Sequence, residues 1–558
     1  MEYMIFFGAF ILFLLFIFIK EYFASLKRKR KLRQSLYEDF GKFKERQYPA
    51  ERYERIGSYY KKHQKPGQVD DITWNDLNMD EIFKRMNFTY SAAGEEYLYY
   101  TLRDTGKSRE ELEHFEELVR FFTEHTDERV KLQLLMKQLG HTGKFSLYDY
   151  LDHLDYLGER SNKKAVFSDL LFVFLLFLIP FQMTMAVLGI SLLLIYNIST
   201  YYGEKKDIEP YIISFVYVVR LLEVCDELEK VSLPACRRET GLIREYKQKL
   251  AAMRRGAFWV FWGNHGASGN PLDMIFDYIR MAFHIDLIQF NRMLGQLRLH
   301  IEDVDALIGQ VGLLETAISV GAFRLSLEEG YCVPVFTKKR EIHMEEGYHP
   351  LLAHPVKNSI RTGRGVLLTG SNASGKSTFL KMVAINGILA QTIHTCAARR
   401  YEGGLFRIMS SMSLRDDLES GESYYIVEIK SLKRIIQAAR EGEGCVLCFV
   451  DEVLRGTNTV ERIAAATQIL KSLAGEEFLC FGATHDMELT GLLEEFYDNY
   501  HFEEEIKAGD ILFPYKLLPG RATTRNAIKL LEIMGYEKRI IEAAEAMAEE
   551  FIASGVWR

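Results

Sequence analysis

Cysteine is scarce in this sequence, with seven residues among 558. That number is too small for a disulfide scaffold in a chain of this length, and it fits a reducing, cytosolic setting. Cys445 and Cys448 form a C-x-x-C pair, a spacing that also occurs in redox and zinc sites. Both lie in the apolar run Cys445–Val450, which predicts a buried strand in which cysteine acts as a small hydrophobic residue.

An excess of basic residues is also missing. The chain has 70 Lys and Arg against 77 Asp and Glu, a net charge of −7. This excludes a global basic surface for nucleic acid, so any DNA contact has to be local. The hydrophobic share of 48% and the charged share of 26% exclude general disorder. The length leaves room for roughly two to four domains.

A first apolar stretch runs from Tyr3 to Ile19 without a charged residue, and Lys20 and a basic cluster at 27–33 follow it. Its length is at the lower limit for crossing a bilayer core of about 30 Å. A cleaved signal peptide is the alternative, but it would have positive charge before the apolar core and small residues after it. Here Glu2 precedes the core. We therefore predict a retained anchor, with the chain after Lys20 in the cytoplasm.

A second apolar stretch, Ala165–Thr200, is interrupted only by Asp169 and by Pro180-Phe181-Gln182. One straight helix of this length would reach about 50 Å, too long for a single crossing. The pattern predicts two short helices with a tight turn near Pro180, forming a transmembrane hairpin. Basic residues flank both ends, which places both in the cytoplasm; they are Arg160, Lys163, Lys164, Lys205 and Lys206. The alternative is a buried hydrophobic hairpin within a soluble helical domain.

The spacing of apolar residues along the sequence changes near Gly330. From Asp71 to about Phe323 the apolar residues recur at helical spacing. After Gly330, short apolar runs alternate with helical patterns, which predicts an α/β nucleotide-binding layer. The runs interpreted as buried parallel strands are Gly365–Thr369, Cys445–Val450 and Phe478–Thr484. The final stretch, Thr523–Ser554, predicts a helix, a turn at Gly535 and another helix.

A phosphate-binding motif follows the first of these strands. Its residues match G-x-x-x-x-G-K-[S/T] and are Gly370, Ser371, Asn372, Ala373, Ser374, Gly375, Lys376, Ser377 and Thr378. A predicted helix, Phe379–Ala390, comes next, and this strand–loop–helix context is the one that a P-loop requires. Backbone N–H groups at the helix N-terminus bind phosphate. The motif predicts an ATP site in which Lys376 reaches the β- and γ-phosphates and Ser377 binds Mg²⁺.

Two further strand ends carry candidate catalytic residues. Asp451 and Glu452 end the strand Cys445–Val450, which predicts Asp451 as a metal ligand and Glu452 as the residue that polarises the attacking water. His485 follows the strand that starts at Phe478 and is a candidate sensor of the γ-phosphate. The alternative roles are solvated carboxylates at a strand end and a structural histidine.

Three segments together resemble the MutS family of DNA mismatch repair ATPases: Thr369–Thr378, Asp451–Thr459 and Ala483–Thr490. The Arg-Gly-Thr-x-Thr run Arg455–Thr459 after the acid pair is the most specific. Asp416–Tyr425 matches the family's signature segment, and the resemblance implies that Ser423 reaches the ATP of the opposite subunit. Asn372 matches the family's P-loop Asn. Pro514–Leu517 with Pro519-Gly520 matches the segment before the C-terminal dimer contact. Upstream, the match is weaker and involves Met86–Tyr90, Gly94 and Tyr97–Tyr100.

The resemblance implies an α/β P-loop NTPase domain of the ABC type, preceded by a mostly α-helical lever or core domain, and the apolar stretches predict transmembrane helices in addition. We expect an anchor at 1–20, a basic juxtamembrane segment with short helices at 21–70, a helical core at 71–330 with the hairpin at about 165–200, an ATPase domain at 331–520 and a helix-turn-helix dimerisation segment at 521–558. ATP and Mg²⁺ are the implied cofactors. The resemblance implies a homodimer, and the apolar stretches with their basic flanks predict that it lies in the cell membrane with its ATPase domain in the cytoplasm.

Departures from the family pattern bear on the substrate. The sequence has no Gly-x-Phe-Tyr-Glu motif, so the phenylalanine that would stack on a mispaired base is missing, and a lever-like region that begins near residue 71 leaves no room for a mismatch-reading domain. Tyr424 stands where Thr is usual, and Asp486 stands where an aromatic residue is usual. Two functions stay open: an ATP-dependent clamp on DNA without mismatch preference, or a membrane switch that acts on a protein partner. A transporter is a third, weaker alternative, because no Leu-Ser-Gly-Gly-Gln signature occurs.

Overall fold

The computed structural model describes residues 2–43, 45–142, 146–231, 233–254, 260, 278–371, 373–412, 424–442, 444–455, 457–507, 510–522, 528, 531 and 534–554. The chain divides into two compact units. The first unit comprises Met1–His63, Asn87–Tyr100 and Glu117–Ala322, and the second comprises Gln64–Met86, Thr101–Glu116 and Phe323–Arg558. The second unit thus includes two segments from before residue 330. The domain boundaries expected from the sequence stay predictions.

The described chain before residue 330 is helical, as the spacing of its apolar residues predicts. The helices are α1 (Glu2–Glu38), α2 (Ala50–Ile56), α3 (Ser58–Lys62), α4 (Asp71–Asp76), α5 (Met79–Met86), α6 (Ala92–Arg103), α7 (Arg109–Glu124), α8 (Thr126–Leu139), α9 (Leu147–Asp152), α10 (Lys163–Leu178), α11 (Met183–Lys230), α12 (Arg237–Lys249), α13 (Ile285–Leu299) and α14 (Ile301–Leu325).

The hairpin has the expected turn but not the expected lengths. Helices α10 and α11 are separated only by residues 179–182, as the Pro180 turn predicts. Helix α11, however, is not short: it has 48 residues and passes through Pro210. Its second half packs a row of buried side chains, among them Ile208, Ile212 and Phe215. This packing outweighs the helix-breaking preference of proline.

Helix α1 also continues further than the predicted anchor, through the basic cluster to Glu38. Lys, Arg, Leu and Gln are good helix formers, and residues 20–38 contain no Gly or Pro to stop the helix. The side chains of most of Tyr3–Ile19 lie outside the described residues, so the anchor at 1–20 stays a prediction.

Among the described residues, two helices are long and apolar enough to cross a bilayer. They are α11 and α14. The most apolar window of α14 is 83% buried, whereas that of α11 is 11% buried. Helix α14 is therefore a core helix of the protein, whereas the apolar first part of α11, residues 183–200, presents most of its side chains outward.

The described strands follow Gly330 and form three sheets. The strands are β1 (Val335–Phe336), β2 (Ile342–Gly347), β3 (Asn358–Thr362), β4 (Gly365–Thr369), β5 (Arg400–Gly403), β6 (Phe406–Ser411), β7 (Cys445–Asp451), β8 (Phe478–Ala483), β9 (Tyr497–His501), β10 (Glu505–Lys507), β11 (Asp510–Leu512) and β12 (Leu518–Pro519). The main sheet has the order β12-β9-β4-β8-β7-β6, and all of its neighbouring pairs are parallel except the edge pair β12–β9. A four-stranded sheet has the order β1-β5-β2-β3, and β10 pairs with β11.

The three strands predicted from the sequence are the centre of the main sheet. Every residue of β4 and β8 is buried, and Cys448 in β7 has no exposed surface. The interpretation of the C-x-x-C pair as part of a buried strand is confirmed. Helices of the second unit alternate with these strands: α15 (Lys376–Ile393), α16 (Tyr424–Glu441), α17 (Thr459–Ser472), α18 (Met487–Leu492) and α19 (Lys538–Ser554). Parallel strands that alternate with helices form an α/β layer, as predicted.

Candidate functional site

The glycine-rich loop joins β4 to the N-terminus of α15. Gly370 and Gly375 have φ values of +144° and +108°, a backbone region that favours glycine. At Gly370 an added Cβ would lie 2.7 Å from the Phe502 carbonyl oxygen, so the chain has no room for a side chain there. The loop can therefore turn tightly, and it presents the first N–H groups of α15 to any group that lies in front of them.

Lys376 is buried at the start of α15. Its Nζ donates hydrogen bonds to the carbonyl oxygens of Gly370 and Ser371, at 2.9 and 2.8 Å. Burial lowers the pKa of Lys376, and the carboxylates of Asp451, Glu452 and Glu504 oppose that shift. The ammonium group thus folds back over the loop that it follows in sequence.

Ser377 and Asp451 meet at the ends of α15 and β7. Ser377 Oγ donates to Asp451 Oδ2 at 2.5 Å. Burial raises the pKa of Asp451, and the neighbouring Glu452 carboxylate adds to the shift. Asp451 Oδ1 is buried and has no hydrogen-bond partner among the described residues, and the same holds for Ser374 Oγ in the loop. A hydroxyl and a carboxylate oxygen are ligands that Mg²⁺ prefers, so this pair fits the predicted metal site.

Glu452 follows in a left-handed conformation, with φ of +54°. A non-glycine residue in this region is strained by about 1–3 kcal/mol, and such residues cluster at functional sites. Its N–H donates to the Ala483 carbonyl at 2.9 Å, which fixes it beside the end of β8. One carboxylate oxygen lies 2.8 Å from His485 Nε2, and the other lies 2.6 Å from Arg455 Nη1.

Asp486 stands after His485, where the family pattern has an aromatic residue, and its contacts differ accordingly. Arg462 on α17 donates two hydrogen bonds to its carboxylate, at 3.0 and 2.7 Å. A bidentate pair of this kind fixes geometry as well as charge. The residue after His485 is therefore tied to α17 by an ion pair rather than by aromatic packing.

A cavity of about 470 Å³ opens in front of the loop. It is lined by residues 373–379, Glu452 and several residues that the sequence reasoning did not select as site residues: His349, Leu352, His354, Val356, Asn358, Met382, Phe502 and Tyr515. Its volume is within the range of about 300–1,000 Å³ for ligand pockets. Only Tyr515 belongs to a motif noted in the sequence. The others come from the β2–β3 connection, α15 and the end of β9, and no local pattern marks them.

Two residues that the sequence did not indicate have a clear structural role: Asn358 in the wall of the cavity and Glu428 on α16. Asn358 donates to the Tyr515 carbonyl at 3.0 Å and accepts from the Leu517 N–H at 2.8 Å, which fixes the wall of the cavity. Glu428 on α16 is buried and accepts from the Leu454 N–H at 2.5 Å, just after Glu452. Burial raises the pKa of Glu428.

The structure thus brings Lys376, Ser377, Asp451, Glu452 and His485 to one edge of the main sheet. Two other predicted site residues, Asn372 and Ser423, lie outside the described residues, as does the signature segment from Asp416 to Ser423. The predicted C-terminal dimer face is described only in part: Ile528, Leu531 and Ile540 are described, and Ile540 is 47% exposed.

Comparison with known proteins places residues 366–552 in the family model of MutS domain V. The chain is 30% identical over 246 residues to the DNA mismatch repair protein MutS of Thermus thermophilus, a match that covers 43% of this chain and 30% of that protein. It is also 30% identical over 282 residues to the MutS of Lactobacillus delbrueckii subsp. bulgaricus, covering 48% of this chain and 32% of that protein. The chain therefore spans about a third of the length of these relatives.

Proposed function

We propose that this chain, whose residues 366–552 match MutS domain V, is an ATP hydrolase that works as a homodimer at a membrane and acts on DNA. Two contacts carry the enzymatic part, Ser377–Asp451 and Glu452–His485. Ser377 and Glu452 also line the cavity in front of the loop. Residues from three neighbouring strand ends meet there beside a helix N-terminus, which is the arrangement that phosphoryl transfer needs.

The phosphates of ATP would lie against the loop 370–378. The N–H groups at the start of α15 and the Lys376 ammonium supply positive charge there, and the helix dipole adds to it. Lys376 would exchange its two carbonyl acceptors for β- and γ-phosphate oxygens. Ser377 and Asp451 would hold Mg²⁺, which when bound neutralises charge on the phosphates.

Glu452 is our candidate for orienting the attacking water. Its carboxylate is held at the end of β7 by a fixed backbone, and His485 lies within hydrogen-bond distance of it. A carboxylate that contacts a histidine in this way can accept a proton from water while the imidazole faces the γ-phosphate. Arg455 would have to release Glu452 or share it for water to approach.

Hydrolysis is tested on the full-length protein in detergent. Lys376→Ala should abolish nucleotide binding, because the loop loses its phosphate contact. Glu452→Gln should retain ATP binding but lose roughly 10²- to 10⁴-fold in kcat, the contribution of a positioned general base. The control is Glu461→Gln, an exposed acid in the first turn of α17. Equal hydrolysis by Glu452→Gln and the wild type would remove Glu452 from the mechanism.

The membrane part of the proposal is supported by the surface of the hairpin. Large apolar side chains of α10, of α11 and of the turn between them are exposed, among them Phe167, Phe177 and Phe181 at 69%, 73% and 74%. A soluble surface rarely exposes so many neighbouring apolar residues. The two helices pack closely at Gly189, where an added Cβ would lie 3.0 Å from Leu175. A tightly packed pair with an apolar outer surface suits a bilayer.

The dimer and DNA parts rest on family membership and on Ser423. We propose that Ser423 completes the ATP site of the opposite subunit and that DNA is held through phosphate contacts, without mismatch preference. The DNA test uses full-length Glu452→Gln with homoduplex and heteroduplex DNA, across a salt series, with and without ATP. Affinity should be equal for both duplexes, fall steeply with salt and change with ATP.

The alternative function predicts a different outcome of the same experiment. An ATP-driven switch that acts on a protein partner would show no DNA binding even at low salt, while its ATP hydrolysis persists. That result would contradict the proposed DNA binding but not the proposed ATP hydrolysis. A clear preference for heteroduplex would instead contradict the expectation that mismatch reading is absent.

A further inference from the structure

Cys332 and Cys396 face each other across an isolated antiparallel bridge in the second unit. Each N–H donates to the other residue's carbonyl oxygen at 2.9 Å. In such a hydrogen-bonded pair the two Cα atoms are about 5.5 Å apart, which is within the range of about 4.4–6.8 Å for disulfides. Both cysteines are free thiols here. We propose that Cys332 and Cys396 form a reversible disulfide when the protein meets a hydroperoxide.

The two thiols differ in their surroundings in the way that such a pair needs. Cys332 is partly exposed, and hydrogen bonds from the Cys396 thiol and from the Tyr401 backbone lower its pKa. Cys396 has no exposed surface, and burial raises its pKa. Cys332 is therefore the thiol that a hydroperoxide can reach and that ionises more readily. Cys396 is placed to react with it afterwards.

The chemistry has two steps. The Cys332 thiolate attacks one oxygen of hydrogen peroxide, the O–O bond breaks, and a sulfenic acid forms; the released hydroxide takes up the proton that the Cys332 thiol lost and becomes water. The Cys396 sulfur then attacks the Cys332 sulfur, the S–O bond breaks, and a second molecule of water leaves with the Cys396 proton. Two thiols are oxidised to one disulfide, and one peroxide is reduced to two molecules of water. A dithiol reductant reverses the change by thiol–disulfide exchange.

The backbone around the bridge is already fixed, so the disulfide needs little rearrangement. On the Cys396 side, the Ala397 N–H donates to Asn386 Oδ1 at 2.6 Å. On the Cys332 side, Tyr348 Oη donates to the Gly330 carbonyl at 2.5 Å. The cross-link would join the segment before β1 to the turn after α15. A cross-link between distant positions of the chain restricts the unfolded state and so stabilises the fold.

A second cysteine pair provides an internal control. Cys448 and Cys480 are register partners on the parallel strands β7 and β8, and neither has exposed surface. Strand spacing brings these residues close as well, but no oxidant can reach them in the folded sheet. Access, rather than proximity alone, should therefore select the pair that oxidises.

The test treats the folded full-length protein with hydrogen peroxide, blocks free thiols with a maleimide during denaturation and maps peptides by mass spectrometry. We expect one cross-linked peptide pair, Cys332–Cys396, which dithiothreitol removes, together with a higher thermal midpoint of the oxidised protein. Cys396→Ser should lose both effects, and Cys480→Ala should keep both. Fully maleimide-labelled Cys332 after oxidation, or an equal yield of the Cys448–Cys480 link, would overturn the proposal.

Discussion

Single residues in the candidate site show which of its contacts a continuous sequence motif cannot specify. The loop 370–378 is one stretch of sequence, whereas Glu452 acts through its left-handed backbone and through contacts to Arg455 and His485. These contacts depend on how β7 and β8 align in the sheet, where Asp451 is the register partner of Ala483. The acid pair could be recognised from the sequence, but the contacts of Glu452 with Arg455 and His485 could not.

His349 gives a prediction on pH. Burial lowers the pKa of His349 to about 4, and the nearby Lys381 ammonium adds to the shift. In the unfolded chain a histidine has a pKa of about 6.5. The unfolded state therefore binds more protons between these values, and the contribution of neutral His349 to stability is complete above pH 6.5 and is lost as the pH falls toward 4.

The measurement is urea unfolding of the nucleotide-free protein at pH 7.5 and 4.5. The shift corresponds to about 2–3 kcal/mol of stability lost on acidification. His349→Gln should lose less than the wild type, and Lys381→Gln, which removes the second cause, should give an intermediate loss. An unchanged difference between the two pH values in His349→Gln would contradict the assignment.

At the scale of helices, the first unit depends on close contact between α6 and α14. Glu315 on α14 is buried and accepts hydrogen bonds from the Tyr90 N–H and from the N–H and hydroxyl of Ser91, at the start of α6. Gly94 lies against this carboxylate: an added Cβ would be 2.1 Å from Glu315 Oε2. A glycine inside a helix is otherwise unfavourable, so the contact explains why glycine stands in the first turn of α6.

Gly94→Ala should therefore destabilise the protein. The Cβ would force Glu315 away from its donors, at a cost of about 1–3 kcal/mol. Gly241→Ala is the matched control, because it lies on the exposed side of α12 with no atom within 4 Å of an added Cβ. That change should stabilise by about 0.4–1 kcal/mol. Chemical unfolding compares both variants, and equal effects of the same sign would refute the packing argument.

For the whole molecule, the topology of the hairpin can be tested directly. We expect the N-terminus outside, the turn near Phe181 outside and the chain after Tyr201 in the cytoplasm, because basic residues flank the cytoplasmic ends. In intact cells, a membrane-impermeant maleimide should label Gln182→Cys and not Lys205→Cys. Labelling of Lys205→Cys alone would indicate the opposite topology. Recovery of the chain in the soluble fraction without detergent would favour the alternative of a buried hairpin.

The sequence by itself determined those features that are local. A strand, a glycine-rich loop and a helix are adjacent in the chain, so the site that they form is recognisable as a motif. Continuous apolar runs likewise predict the buried strands β4, β7 and β8, because strands covered on both faces need apolar residues at every position. The hairpin turn near Pro180 could also be predicted, since proline locally disfavours a helix; at Pro210 the tertiary packing of α11 outweighs that preference.

Only the tertiary structure decided which distant segments share a unit or a site. It placed Gln64–Met86 with the second unit, where Asp76 accepts hydrogen bonds from the Ser410 hydroxyl and the Met412 N–H. It also put His349 and Phe502 in one cavity, and it paired Cys332 with Cys396. Such pairings depend on how segments that are distant in the chain pack against one another, which the sequence around any one residue does not specify.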